Sequence, residues 1–207
     1  MLNVRRRTND LPGTRRRPGT PRAGRGSQRG FTMLESLITI VILVIGILGL
    51  AGLQSRLQAA EMESYQRSQA LILLDDMAAR INANRGDAAS YVTGATPLGT
   101  GDGLDPDCSA VAVGAPRDRC EWSNALKGRT ETEGAGGAAI GVMIGARGCV
   151  TAVAGAVPAA YQIVVAWQGV SPLVAPAFAC GDDDAYGGAT YRRAIAKVVA
   201  IGTPTPP

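Results

Sequence analysis

Two sets of residues in this chain could do chemistry. The first is a single carboxylate, Glu35, set against Ser36–Ser55, twenty residues without a charged side chain. An acid at the centre of a membrane-spanning helix costs about 2.5–3.5 kcal/mol, and less near the interface, so a carboxylate here calls for a cationic partner. The same position suits a helix N-terminus, where the macrodipole favours negative charge. The two roles are compatible. The second set is four cysteines, Cys108, Cys120, Cys149 and Cys180, all C-terminal to the apolar run. An even number in an oxidising compartment reads as two disulfides, with three pairings open. Cys108 with Cys120 and Cys149 with Cys180 is favoured, because nested or crossed closures must bring more distant segments together. The shorter loop would contribute about 3 kcal/mol through its closure entropy.

Other chemistry is excluded by composition. The chain has no histidine, which removes Ser-His-Asp and Cys-His catalysis, His-ligated zinc and any imidazole base. It has no phosphate-binding loop of the G-x-x-x-x-G-K-[ST] type and no C-x-x-C pair. Two acidic clusters, Asp102/Asp105/Asp107 and Asp182–Asp184, sit in glycine-containing stretches. Calcium takes several loop oxygens, but neither cluster has the EF-hand spacing, so both read as solvated loops. No catalytic residue, no metal site and no cofactor is expected.

The elements that must position Glu35 and the cysteines separate cleanly. Residues 1–30 carry nine arginines and one acid, Asp10, and lack a periodic apolar pattern. They read as a basic, disordered leader. The remainder holds 12 of the 21 basic side chains and 16 of the 17 acidic ones, so it is mildly acidic despite the net charge of +4. Nucleic-acid binding therefore has no support from charge, and aromatics are too scarce to interleave with basic residues. Residues 31–84 read as one helix, about 80 Å long. Its apolar part, 36–55, matches the ~30 Å hydrocarbon thickness of a bilayer. The basic flank predicts that residues 1–30 stay cytoplasmic and that the C-terminal part is exported.

Beyond the span, positions 53, 57, 60, 64, 67, 71, 74, 78 and 81 alternate steps of four and three, and seven of the nine are apolar. The C-terminal half of this stripe is expected to pack on the following domain, and the N-terminal half on lipid or other helices. Glu63 with Arg67 and Asp76 with Arg80 are spaced as i,i+4 ion pairs. Asn82, Asn84 and Gly86 supply the stop. Gly46, Gly49 and Gly52 recur at steps of three and would permit close helix approach. Residues 85–207 read as a β-rich globular domain. Its expected elements are a short helix over 118–127, a strand over 138–147 and the clearest strand over 161–167, with Tyr161, Ile163, Val165 and Trp167 on one face. A further strand is expected over 191–201. The fold class is α+β: a long N-terminal helix laid on a small antiparallel sheet.

Gly30-Phe31-Thr32-Met33-Leu34-Glu35, followed by the apolar helix, resembles the class III leader of type IV pilins and pseudopilins. That resemblance implies cleavage by prepilin peptidase between Gly30 and Phe31 and N-methylation of the Phe31 amine. It also implies an assembly contact between Glu35 and the Phe31 ammonium of a neighbouring subunit. A second stretch, Tyr161-Gln162-Ile163-Val164-Val165-Ala166-Trp167-Gln168-Gly169 with Cys180 and Tyr191-Arg192-Arg193, is similar to the C-terminal part of PilV-type pilus modification proteins, which are minor pilins. The implied role is a non-enzymatic subunit in pilus assembly. Its partners are prepilin peptidase, other major and minor pilins and the inner membrane, with a periplasmic C-terminal domain and a final place in the fibre or at its tip.

Four readings compete with this one. An ordinary signal peptide cleaved after Ala51 fits poorly, because an acid precedes the apolar core, the n-region is long and helical patterning continues past Ala51. A plain membrane anchor would keep its tail. A pseudopilin of a type II secretion system would share the leader and helix chemistry. A membrane-anchored periplasmic enzyme would have to work without histidine.

Overall fold

The computed structural model describes residues 30–94, 96–129 and 143–202. The chain divides into two compact units, Met1–Ile47 and Leu48–Pro207, with the division inside the first helix. The basic leader up to residue 29 and the end from residue 203 lie outside the described residues.

Helix α1 runs from Met33 to Ala83 without interruption, as expected of a stretch free of proline and rich in Leu, Ile and Ala. It stops at Asn84, whose backbone leaves the helical region, and the chain continues as a 3₁₀ helix over Arg85–Tyr91. In the first unit every described side chain is exposed. In the second unit Gln66, Ala70, Leu74, Met77, Ala78 and Ile81 are buried. The buried face and the expected stripe coincide only at Leu74, Ala78 and Ile81. Upstream, Gln66 and Ala70 are buried in place of Arg67 and Leu71, a rotation of about 100° on a helix of 3.6 residues per turn. The cause is the sheet. Its last strand ties to the flank of α1 through Arg193 to Glu63 at 2.9 Å and Lys197 to Asp75 at 2.5 Å. The expected Glu63–Arg67 pair is therefore replaced by a tertiary one, whereas Asp76–Arg80 forms at 3.1 Å.

The sheet is an antiparallel meander of four strands: β1 (Leu98–Gly99), β2 (Arg147–Ala152), β3 (Ala160–Gln168) and β4 (Arg192–Ala200). Val150 stands opposite Ile163, and Val165 opposite Ile195. Tyr161, Ile163, Val165 and Trp167 join Leu74, Met77 and Ile81 in the main core. Each large side chain buried there contributes about 1.5–3 kcal/mol. The other face of β3 is buried too. Val164 and Ala166 pack with Cys149, Cys180 and Tyr186, contributed in part by the connection between β3 and β4. The strand expected over 138–147 forms instead at Arg147–Ala152. Residues 143–146 make a turn with Gly145 at φ 63°, and 138–142 lie outside the described residues.

Helix α2 (Ala115–Leu126) begins three residues before the expected start, with a proline in its first turn, where the missing N–H is harmless. Trp122 of α2 is fully buried and donates its indole N–H to the Leu73 carbonyl at 2.9 Å. A side chain at Gly148 of β2 would collide with the Trp122 ring. One residue without a side chain thus lets one indole lock α2, β2 and α1 together.

Candidate functional site

The helix that carries Glu35 starts at a built cap. Thr32 precedes the first residue of α1, and its Oγ1 accepts the Glu35 N–H at 3.2 Å. The Thr32 carbonyl accepts the Ser36 N–H at 3.2 Å. This is half of a capping box, in which a Thr at N-cap meets a Glu at the third helical position. The Thr-x-x-Glu spacing of Thr32 and Glu35 carries that signal in the sequence. The Glu35 carboxylate is exposed and, among the described residues, has no hydrogen-bond or ion-pair partner. It stands on the positive end of the helix dipole and remains free for an external cation.

Gly30 and Phe31 precede the helix in irregular backbone. The Phe31 side chain is 80% exposed. A Cβ added at Gly30 would meet nothing within 4 Å. Gly46, Gly49 and Gly52 are equally open, so packing among the described residues does not require glycine at any of the four. Among the described residues, α1 is the one helix long and apolar enough to cross a membrane, and the window that qualifies is wholly unburied.

The cysteines lie in the other unit. Cys108 joins Cys120 and Cys149 joins Cys180, each with 5.8 Å between Cα atoms. No cysteine is free. The first bond fastens the loop before α2 to that helix. The second fastens β2 to the β3–β4 connection, which covers the outer face of the sheet. Sulfur therefore has a structural part here, without a reactive thiol.

Three charged networks lie in the second unit. Arg80 of α1 reaches Asp118 at 3.1 Å and Glu121 at 2.7 Å on α2. Burial alone would lower its pKa, but hydrogen bonds to Glu121 and Asp76 outweigh that and hold it above the ordinary range. Tyr91 donates to Asp118. Burial, then this bond, push the Tyr91 phenol up to about 12. Asp102 is not the solvated acid expected. Its side chain is 1% exposed and meets Lys127 Nζ at 2.5 Å. It also accepts from Ser123 and from the N–H groups of Gly99 and Leu104. Burial opposes its ionisation, yet the Lys127 bond, then those of Ser123 and the two amides, hold its pKa below the usual value. In the second acidic cluster, Asp182 caps a 3₁₀ turn and Asp183 pairs with Arg192 at 2.7 Å. Among the described residues no three His, Cys, Asp or Glu converge as a metal site.

Residues 25–51 match the prokaryotic N-terminal methylation motif. No curated protein and no solved structure matches the chain. The motif spans Gly30, Phe31, Thr32 and Glu35 and runs into the exposed apolar helix. The N-terminal part is thus pilin-like, and it supports membrane anchoring and a structural role.

Proposed function

We propose that this chain is a minor pilin, a non-enzymatic subunit that helps to initiate type IV pilus assembly. The observation that carries the reading is the methylation motif over residues 25–51, centred on a capped helix start that leaves the Glu35 carboxylate free. The likeness of the β3, Cys180 and β4 stretch to minor pilins adds to it. The precursor sits in the inner membrane with the basic leader cytoplasmic and the disulfide-bonded unit periplasmic. Prepilin peptidase cuts between Gly30 and Phe31, and the new Phe31 amine is methylated. The mature chain then starts two residues before the helix, with an ammonium at Phe31 and a carboxylate one turn on at Glu35.

In an assembled fibre, Glu35 meets the Phe31 ammonium of the adjacent subunit. Pairing in a low-dielectric bundle offsets the desolvation of both charges only where geometry is good and water is excluded. This makes the contact selective for correct axial register. Gly46, Gly49 and Gly52 allow close approach of neighbouring helices. Intact-mass analysis and N-terminal sequencing of the protein from membranes test the reading. The expected terminus is methylated Phe31. A terminus at Gly52 would sink it in favour of an ordinary signal peptide.

A further inference from the structure

Strand β4 is the last in the sheet order, and no described strand pairs with its outer side. The Ile201 N–H donates to Ala159 at 2.7 Å and the Gly169 N–H to Tyr191 at 2.8 Å. In an antiparallel pair, residues that exchange both bonds alternate with residues that exchange none. Odd-numbered residues of β4 therefore bond β3, and Ala194, Ala196, Val198 and Ala200 turn their N–H and C=O groups outward. At Thr190 the edge is closed by the Leu173 N–H, at 2.9 Å. From Ala194 to Ala200 no such bond exists among the described residues. A long, unprotected edge strand is a template for another strand.

Beside this edge lies a cavity of about 390 Å³, between α1 and the start of β4. Its walls include Glu63, Arg67, Trp167, Leu173, Arg193 and Ile195. Trp167 is 4% exposed, yet its indole N–H is buried with no acceptor among the described residues. A buried donor left unmatched is costly, and an acceptor brought to it recovers that cost. Glu63 neutralises Arg193, and Asp75 neutralises Lys197. Arg67 has no acid partner among the described residues.

From this juxtaposition we infer that β4 is a docking edge for an extended segment of a different protein chain, which adds as a fifth strand and places an acidic side chain in the Trp167–Arg67 cavity. Main-chain bonds to Ala194, Ala196 and Val198 give affinity, and the cavity gives specificity. A second copy of this chain fits less well. Pairing β4 with itself carries its own Arg193 and Lys197 onto a face that already bears Arg67. Edge and cavity lie wholly within the unit Leu48–Pro207, so their use does not depend on cleavage at Gly30.

The test uses the full chain in detergent and two fluorescent peptides, Ser-Val-Thr-Val-Glu-Val-Thr-Val-Ser and its counterpart with a central Lys. Fluorescence anisotropy reads binding, and size-exclusion chromatography with light scattering reads self-association. The Glu peptide should bind roughly tenfold or more tightly than the Lys peptide, the scale of a charge-assisted hydrogen bond. Ala196→Pro removes only an outward N–H, so the β3–β4 ladder survives while binding is lost. Val198→Pro, in the same register, replaces it if that variant does not fold. Trp167→Phe and Arg67→Gln should each narrow the Glu/Lys difference. Equal binding of the Glu peptide to wild type and Ala196→Pro, no binding at millimolar peptide, or equal affinity for the two peptides overturns the inference. So does self-association abolished by Ala196→Pro, which would assign the edge to a second copy.

Discussion

Ser36–Ser55 and Gln66–Ile81 belong to one unbroken helix and obey opposite rules. In the first, Ile40 and Ile45 are 62% and 65% exposed; in the second, Leu74 and Ile81 are 1% and 0% exposed. The residue types are alike, so hydrophobicity alone does not separate them. The arrangement does. The first stretch is apolar all round, which suits lipid or a bundle of helices, whereas the second is apolar on one face and charged on its flanks. The flanking charges select what covers the second stretch: Glu63, Asp75 and Asp76 with Arg80 reach Arg193, Lys197 and α2. The first stretch has no charge of its own, and Glu35, the residue just before it, has no partner among the described residues. One half of α1 is covered by folding of this chain, and the other is left for lipid or other helices to cover.

The strongest way to break this comparison is at the cleavage step. Gly30→Leu should abolish processing altogether while leaving the disulfide-bonded unit unchanged, because a Cβ at Gly30 meets nothing within 4 Å among the described residues. Immunoblots that separate precursor from mature protein, with circular dichroism on the purified precursor, check both halves of the claim. Normal cleavage of that variant would show that the glycine is not read by a peptidase.

Core truncation comes next. Ile81→Ala should destabilise the unit Leu48–Pro207 by about 2–5 kcal/mol, the usual cost of emptying a buried aliphatic site. Ile45→Ala should change it by less than about 0.5 kcal/mol, as exposed sites do. Urea denaturation of the full chain in mild detergent measures both. Similar costs would mean that the two halves of α1 share one core.

Opening the disulfides should cost roughly 3 kcal/mol for Cys108–Cys120 and somewhat under 4 kcal/mol for Cys149–Cys180, the longer loop. Mass spectrometry after alkylation without reduction should find no labelled cysteine in the wild type. In Cys108→Ser it should find label at Cys120 only; label at Cys149 or Cys180 would refute the pairing.

Glu35→Ala and Glu35→Gln should leave insertion, cleavage and disulfides normal and reduce recovery in sheared fibres several-fold. The Gln variant retains shape without charge, so it separates packing from pairing. Wild-type recovery of both would reduce Glu35 to the acid of a helix terminus.

The smallest effect is titration. Asp102 has a depressed pKa in the fold, so its contribution is complete above the unfolded carboxylate value, about 3.9. It is lost as pH falls through the lower folded value, where the unfolded state binds the proton first. Tyr91 runs the other way. Its contribution is complete below about 10, the unfolded phenol value, and is lost as pH rises toward about 12. Urea midpoints across pH should therefore fall at both ends. Asp102→Asn should flatten the acid limb and Tyr91→Phe the alkaline limb; unchanged limbs would show that other groups set the dependence.

Much of this was legible in order along the chain. The span 36–55, the basic flank, the Gly30–Glu35 motif and the strand with Tyr161, Ile163, Val165 and Trp167 are local patterns, set by charge, length and period. The nearest-neighbour cysteine pairs followed from loop closure, which also depends mainly on separation. The Thr-x-x-Glu cap at Thr32 is equally local. Only the tertiary structure decided which row of α1 is buried, because the stripe through Arg67 and Leu71 has the right period, yet the sheet covers Gln66 and Ala70 instead. It also turned Asp102 from a loop acid into a buried ion-paired one, through Lys127, which lies 25 residues away. The same holds for the open edge of β4 and the unmatched Trp167 N–H beside it. Period and composition state what a segment can bury. What it does bury depends on partners distant in sequence, whose positions are fixed by packing and charge pairing together.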